Sequence, residues 1–294
     1  MKIAVVIAST MRPKALAATL SSLSAQSRAA DVIVVSVVGS SDLPETMVES
    51  IQLVYSERGA SKQRNRGLKV LPEDTDIVAF LDDDIILHRD YVQGIESIFS
   101  AKPDAALIMG HLIANGNVSI KKALELVNPP AGSTHYAITP SSFGDVYGCN
   151  MCVRFDVACK EPFDERLPLY SYMEDVDFGT RVRRHGHVGY YHGSLAVHLR
   201  VNEGRVSYRA LGFSEIMNPA YLAAKGTIPV WHALCGFVLR KPLANIVRSL
   251  TRGPRKAERR ERLIGNCIAL RYLLSGKIDP DRAVDIEAKE TSFA

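Results

Sequence analysis

The chain has 294 residues, 47% apolar and 23% charged, a mixture that excludes a collagenous or wholly disordered protein and suffices for one large α/β domain with an appendage, or for two domains. Its formal charge of +4 is unevenly placed: between residues 240 and 262 nine Lys or Arg stand against two Glu, a local +7, which leaves −3 for the rest. Five scattered cysteines, an odd number, argue against a disulfide framework and for a reducing compartment.

The N-terminal Met-Lys runs directly into apolar residues 3–8, a stretch too short for the apolar region of a signal peptide, so the chain is expected to begin folded and cytosolic. Residues 3–8 read as a strand ending at Ser9 and Thr10. Pro13 then opens a helix with Leu16, Leu20 and Leu23 on one face. A β-branched run at 32–38, closed by Gly39, Ser40, Ser41 and Asp42, and a run at 51–55 are the second and third strands. Ser56-Glu57-Arg58-Gly59-Ala60-Ser61 follows and leads into a helix carrying Lys62, Arg64, Asn65 and Arg66. Helix N-termini attract anions, so Arg58, Lys62, Arg64 and Arg66 either meet a phosphate or form an exposed basic face.

Residues 76–84, Asp-Ile-Val-Ala-Phe-Leu-Asp-Asp-Asp, are the stretch on which the functional reading turns. An apolar run that breaks into clustered acids reads as a buried strand delivering Asp82, Asp83 and Asp84 to the carboxyl edge of a parallel sheet, where open α/β folds bind ligands. Adjacent like charges repel unless a cation sits among them, and hard oxygen ligands suit Mg²⁺ or Mn²⁺ holding a phosphate. The alternative is a solvated acidic turn.

A helix near 91–99 and a strand at 104–110 follow. From 112 to 142 periodicity is lost and Asn, Gly, Pro and Ser gather, as in a substrate-facing loop. A strand resumes at 145–155, where Cys149 and Cys152 are read as strand residues rather than a redox pair. Beyond 163–167, a helix begins in the 170–178 segment and ends at Gly186; Ser171, Glu174 and Asp175 lie near its first turn, where the dipole keeps a carboxylate ionised and able to accept a proton. A plain helix cap is the competing reading. The last strand follows 189–191 and ends at Ala196-Val197-His198. Alternating strands and helices imply a mainly parallel sheet. With no Gly-Lys-Ser phosphate loop and no dinucleotide glycine fingerprint, neither an ATPase nor a nicotinamide enzyme is favoured.

Taken together, these segments resemble the inverting family 2 glycosyltransferases of the GT-A fold over residues 1–205. The resemblance rests on an ordered set: Ala8-Ser9-Thr10, Arg64-Asn65-Arg66-Gly67, Phe80-Leu81-Asp82-Asp83-Asp84, Gly148-Cys149-Asn150-Met151, Phe163-Asp164-Glu165, and Glu174-Asp175-Val176-Asp177 with Arg181 and Gly186. It implies a Rossmann-like sheet with flanking helices and a nucleotide-sugar donor held at Ala8, Ser9, Thr10, Arg58, Arg64, Asn65, Asp82 and Asp83. It further implies Mg²⁺ or Mn²⁺ on Asp84, Asp175 as general base, and Glu174 beside it on the acceptor side. His198 matches a position where some members place a second metal ligand; a satisfied strand-end histidine is the other reading. Ser36 stands near the position where many members carry an Asp that contacts the base.

From 206 to 294 the chain reads as a helical, basic extension. The apolar stretch 228–239, with Trp231 and Phe237, is shorter than the roughly 20 residues of a membrane span. Together with the basic run beyond it, it suits a helix lying on an anionic membrane, ahead of nucleic acid or a plain packing subdomain. The sequence is thus expected to be a metal-dependent glycosyltransferase of polysaccharide or glycolipid biosynthesis, peripheral on the inner face of the cell membrane and acting on a glycan or polyprenyl-linked acceptor. The rivals are a nucleotidyltransferase on a similar sheet and a non-catalytic sugar-nucleotide-binding scaffold.

Overall fold

The structure is a computed structural model of the chain and describes all residues except 47–49, 117, 129–135, 139–145, 251–254 and 292–294. Two compact units make it up: Met1–Arg58, Lys62–Phe163 and Phe178–Gly204 form the first, and Gly59–Ser61, Asp164–Asp177 and Arg205–Ala294 the second. The strands are β1 (Ile3–Ala8), β2 (Val32–Val37), β3 (Ile51–Tyr55), β4 (Ile77–Asp82), β5 (Ile85–Leu87), β6 (Ala105–Asn115), β7 (Tyr136–Ile138), β8 (Asn150–Arg154) and β9 (His187–His198). The helices up to the last of these strands are α1 (Pro13–Ser24), α2 (Ala60–Leu68), α3 (Tyr91–Ala101), α4 (Ile120–Leu126), α5 (Phe155–Lys160) and α6 (Glu174–Val182).

The strands form one sheet in the order β3-β2-β1-β4-β8-β6-β9-β5, with β7 also paired to β9. Its interior strands are covered on both faces, which is why they read as continuous apolar runs rather than alternating ones. Ile3, Val5, Ile7, Ile77, Ala79 and Leu81 point to the face covered by α1 and α3. Ala4, Val6, Val78 and Phe80 point to the opposite face, with Val157, Phe163, Phe178 and Val182. β3, β2, β1 and β4 are parallel, as the sequence pattern predicts, but β8 runs antiparallel between β4 and β6. Because β6 is antiparallel to β8 and parallel to β9, the C-terminal ends of β1, β4, β6 and β9 share one edge. That edge therefore collects residues from four distant parts of the chain.

Several boundaries differ from the sequence reading. The strand expected at 104–110 continues to Asn115, and the presumed loop 112–142 also contains α4 and β7; its remainder lies outside the described residues. β8 is confined to Asn150–Arg154 because Phe155 already starts α5. Cys149 and Cys152 are buried and form no disulfide, and burial pushes the Cys152 thiol up to about 12, so it is unreactive, as expected of a core residue.

In the second unit, α7 (Tyr208–Lys225) packs with α10 (Lys256–Leu274) and α11 (Arg282–Thr291) around Phe213, Ile216, Met217, Ala269, Ala283 and Ile286. Gly212 and Gly265 let α7 and α10 approach: a Cβ at Gly212 would lie 2.2 Å from the Arg262 carbonyl oxygen, and one at Gly265 2.1 Å from that of Arg209. Between α7 and α10, α8 (Val230–Ala233) runs through a π-helical stretch, Leu234–Leu239, into α9 (Arg240–Leu250).

Phe163 is a keystone of the first unit. Its ring stacks on Phe178 (centroids 4.2 Å apart) and meets Phe80 edge-on at 4.9 Å. Asn65 fixes its backbone from both sides, donating from Nδ2 to the carbonyl and accepting from the N–H at Oδ1, each at 2.9 Å. Asn65→Ala strands both buried groups, so it is expected to lower unfolding free energy by about 2–4 kcal/mol in urea titration. A loss well under 1 kcal/mol would contradict this role.

Candidate active site

At the shared edge Ala8 stands in register between Ser36 and Asp82. Gln63 Nε2 donates to the carbonyls of Ser9 (2.8 Å) and Ser36 (2.9 Å), and Thr10 Oγ1 donates to Gln63 Oε1 (3.2 Å), so α2 ties the ends of β1 and β2 together. The three carboxylates then occur at the end of β4 and in the turn to β5, Asp82 and Asp83 each with an arginine partner and Asp84 beside His198.

Asp82 is part-exposed, and its Oδ1 accepts from Arg64 Nη2 at 2.8 Å. Arg64 itself is buried, donates also to the Gly148 carbonyl and lies over the Phe163 ring. Asp83 is buried and points inward, accepting from Ser9 Oγ (2.7 Å) and Arg12 Nη1 (3.0 Å). Burial pushes its carboxyl up to about 6, against the pull of Arg12 and Ser9. Asp84 is buried too. Burial opposes its charge, but the hydrogen bond and charge of His198, then the charge of Arg12, outweigh it and hold its carboxyl below the usual range. Arg200 adopts the left-handed region (φ 56°), a turn that lets the N–H of Leu199 reach the Asp84 carbonyl and that of Val201 reach Asp84 Oδ2, both at 2.9 Å.

His198 ends β9 beside Asn115, which ends β6. Its Nε2 lies 3.0 Å from Asp84 Oδ1 and 3.6 Å from Asp82 Oδ2. Its Nδ1 lies 3.1 Å from Asn115 Oδ1, an oxygen that also accepts from Tyr147 Oη at 3.4 Å. An acceptor on that side requires Nδ1 to carry hydrogen, which leaves the Nε2 lone pair of the neutral ring facing two carboxylates. Such an arrangement is repulsive unless a proton or a cation lies between them. One ligand atom each from Asp82, Asp84 and His198 falls within 4.8 Å of the others. Two carboxylates and an imidazole, with the far ring nitrogen held by a carbonyl oxygen, are a donor set that fits a divalent cation such as Mn²⁺ or Mg²⁺.

Asp175 belongs to the second unit, half-buried in the first turn of α6, where the Val176 N–H donates to its Oδ1 at 2.9 Å. Glu174 precedes it and is buried. The segment leading there is clamped to α7 and its C-terminal turn: Lys225 Nζ bridges Asp164 (2.6 Å) and Asp177 (2.8 Å), Thr227 Oγ1 donates to Asp177, and Asn218 Nδ2 donates to the Tyr172 carbonyl. Burial raises the Tyr172 hydroxyl well above its ordinary range, with the charges of Glu215 and Asp175 adding to it.

Among the described residues, the non-glycine positions at positive φ are Met11, Leu169, Ser171, Met173 and Arg200. Met11 follows Thr10, Met173 precedes Glu174 and Asp175, and Arg200 lies two residues beyond His198. Strained backbone of this kind concentrates where geometry is functional. Of the predicted residues, the structure brings Ala8, Ser9, Thr10, Arg64, Asp82, Asp83, Asp84 and His198 to one edge. Asn65 is there too, with its amide engaged by Phe163. Arg58 is half-buried in the turn before α2, Lys62 pairs with Glu57, and Arg66 is exposed. Sequence reasoning missed Arg12, Thr19, Asp42, Asn115 and Tyr147. Thr19 Oγ1 donates to the Asp83 carbonyl and accepts from the Ile85 N–H, and Asp42, six residues after Ser36, accepts from the N–H groups of Met11, Val38 and Gly39. Thr19 and Ser22 interrupt the apolar buried face of α1, and that was the available signal for Thr19; the others carry none.

Residues 4–160 match the family model described as glycosyl transferase family 2. No curated protein sequence matches the chain. Among solved structures, S. aureus TarS (residues 1–349) is 13% identical, with a TM-score of 0.50 over 94% of this chain and 92% of that one. The same TarS fragment in complex with UDP is 14% identical, with a TM-score of 0.48 over the same shares. The first of these likenesses is one of fold, the GT-A type expected from the sequence.

Asn115 makes no direct use of its amide toward the cation position, so its role is separable from that of the ligands. Asn115→Leu removes the acceptor that fixes the His198 ring, and divalent-cation affinity measured by calorimetry is expected to fall about 10- to 100-fold. Unchanged Mn²⁺ affinity in that variant would show that Asn115 does not orient the histidine.

Proposed function

Since the chain belongs to glycosyl transferase family 2 and is a glycosyltransferase, we propose that it moves a sugar from a nucleotide-sugar donor to a hydroxyl of a glycan or lipid-linked glycan, with inversion and with Mg²⁺ or Mn²⁺. The observation that carries this reading is the convergence of Asp82, Asp84 and His198 at the carboxyl edge of the family domain. When bound there, a divalent cation offsets the negative charge that collects on a departing diphosphate. Asp82, Asp84 and His198 hold it. Arg64 and Arg12 fix the carboxylates against their mutual repulsion and keep them aimed in the absence of ligand.

Asp175 takes the proton of the attacking hydroxyl. Its support is its match to the family's catalytic aspartate, its place in the first turn of a helix, where the dipole favours the ionised form, and a left-handed backbone just before it. Glu174 flanks the acceptor. A single displacement needs no second catalytic carboxylate, because the diphosphate leaves without protonation, unlike the sugar oxygen in glycoside hydrolysis. The acceptor is met at the cytosolic face of a membrane; among the described residues no helix is long and apolar enough to cross one.

Release of nucleoside diphosphate from a panel of sugar donors, with and without acceptor, tests the reaction. One donor should release diphosphate in the presence of Mn²⁺, and Asp175→Asn, which keeps the shape but cannot take the proton, should lower turnover by about 10² to 10⁴ while donor affinity persists. Wild-type turnover in that variant would remove Asp175 from the mechanism, and no release from any donor would contradict the reaction itself.

A further inference from the structure

The continuous helical run from Val230 through α9 is amphipathic in an inverted sense. Along α9, at about 100° per residue, Leu243, Ile246, Val247 and Leu250 fall within an arc of about 100°. These residues are not packed inward. Leu243 is 62% exposed, Val247 61% and Leu250 76%. The side turned inward carries Pro242, Asn245 and Ser249, all buried, with Asn245 Nδ2 donating to Asn266 Oδ1 of α10 at 2.8 Å. An amide pair therefore holds the helix, and the leucine stripe is left facing water. The same run presents Trp231, 66% exposed, and Leu234 from its first turns.

Charge says what covers this face. From residue 228 to 256 the chain carries six Lys or Arg and no Asp or Glu. Arg240, Arg255 and Lys256 are exposed, and Arg248 lies in the last turn of α9. Pairing this face with a second copy would set these cations against their own duplicates. An anionic surface is complementary to the charges, and only one with an apolar layer beneath it also accommodates Leu243, Val247, Leu250 and Trp231.

We propose that this face seats the protein on an anionic lipid bilayer, with Trp231, Leu234, Leu243, Val247 and Leu250 below the headgroups and Arg240, Arg255 and Lys256 at the lipid phosphates. The run then lies in the plane of the membrane, its apolar side about 5–10 Å into the interface. This deepens the membrane part of the proposed function by naming the surface and the lipid chemistry, and it stands whether or not the sugar transfer does.

Trp231 is the only tryptophan in the chain, so tryptophan emission, excited beyond the tyrosine band, reports on this face alone. Full-length protein mixed with vesicles of phosphatidylcholine and phosphatidylglycerol at low salt should co-sediment and shift its emission to the blue, and phosphatidylcholine alone should do neither. Binding should weaken as salt approaches physiological strength, where the Debye length is about 8 Å. Each cation contributes about fivefold, so Arg240→Gln, Arg255→Gln and Lys256→Gln together should weaken binding about a hundredfold. Leu243→Ser, Val247→Ser and Leu250→Ser together change the exposed side of α9, and should abolish the blue shift with the circular dichroism unchanged. The proposal is overturned if full-length protein ignores anionic vesicles at low salt, if neutral vesicles bind it equally, or if both triple variants bind as wild type. It is equally overturned if the protein is a dimer that the serine variant converts to monomer while vesicles leave it unmoved. The vesicles hold no sugar acceptor, so failure here leaves the proposed transfer untouched, and failure of transfer leaves this binding untouched.

Discussion

Three carboxylates in succession cannot sit together at the end of a buried strand unless each is answered by a positive charge or by donors, and the first unit is arranged around meeting that demand. Asp82 has Arg64, Asp83 has Arg12 and Ser9, and Asp84 has His198 and the N–H of Val201. The partners come from α2, from the loop after β1 and from the end of β9, so the fold must bring four segments to one edge before the acids become tolerable. In a part-buried setting a lone carboxylate costs several kcal/mol, more than most single core contacts contribute. The same demand explains why the third pair looks unfinished: with its far nitrogen fixed by Asn115, the Nε2 of His198 faces two carboxylates, an arrangement that is favourable only with a proton or a cation between them. Two carboxylates around an imidazole nitrogen make this edge receptive to a cation.

Much of this was legible in the chain because burial on both faces leaves a plain signature. β1 and β4 read as apolar runs and β2 as a β-branched run broken only by Ser36, and the acids that end β4 and follow it stand out against them. The antiparallel insertion of β8 was not legible, since a short apolar strand looks the same in either direction. Arg12 and Asn115 were invisible for a different reason. Their partners lie 71 and 83 residues away, and only the register of the sheet, which sets Asn115 opposite His198, brings them together. His198 had two readings at the level of sequence, and the geometry reconciles them: it is hydrogen-bonded on one side and offers a ligand atom on the other.

The second unit repeats the lesson at a helix. Apolar spacing along 239–250 is equally compatible with a packed stripe and an exposed one, and the buried amide pair of Asn245 and Asn266 decides between them. Likewise Asp177, which looks in sequence like half of a surface pair with Arg181, is fully buried and engaged by Lys225 and Thr227. That clamp leaves the neighbouring Asp175 half-buried at the start of α6, and polar contacts far apart in the chain thus fix where an acid stands in both units.

Anomalous diffraction from crystals soaked with Mn²⁺ and a nucleoside diphosphate tests the central assignment most directly. A single strong peak about 2.1 Å from the nearest oxygens of Asp82 and Asp84 and from His198 Nε2 is predicted, with Nδ1 still on Asn115. A peak elsewhere, or none at this edge while the diphosphate is bound, would contradict the reading of these three residues as the cation site.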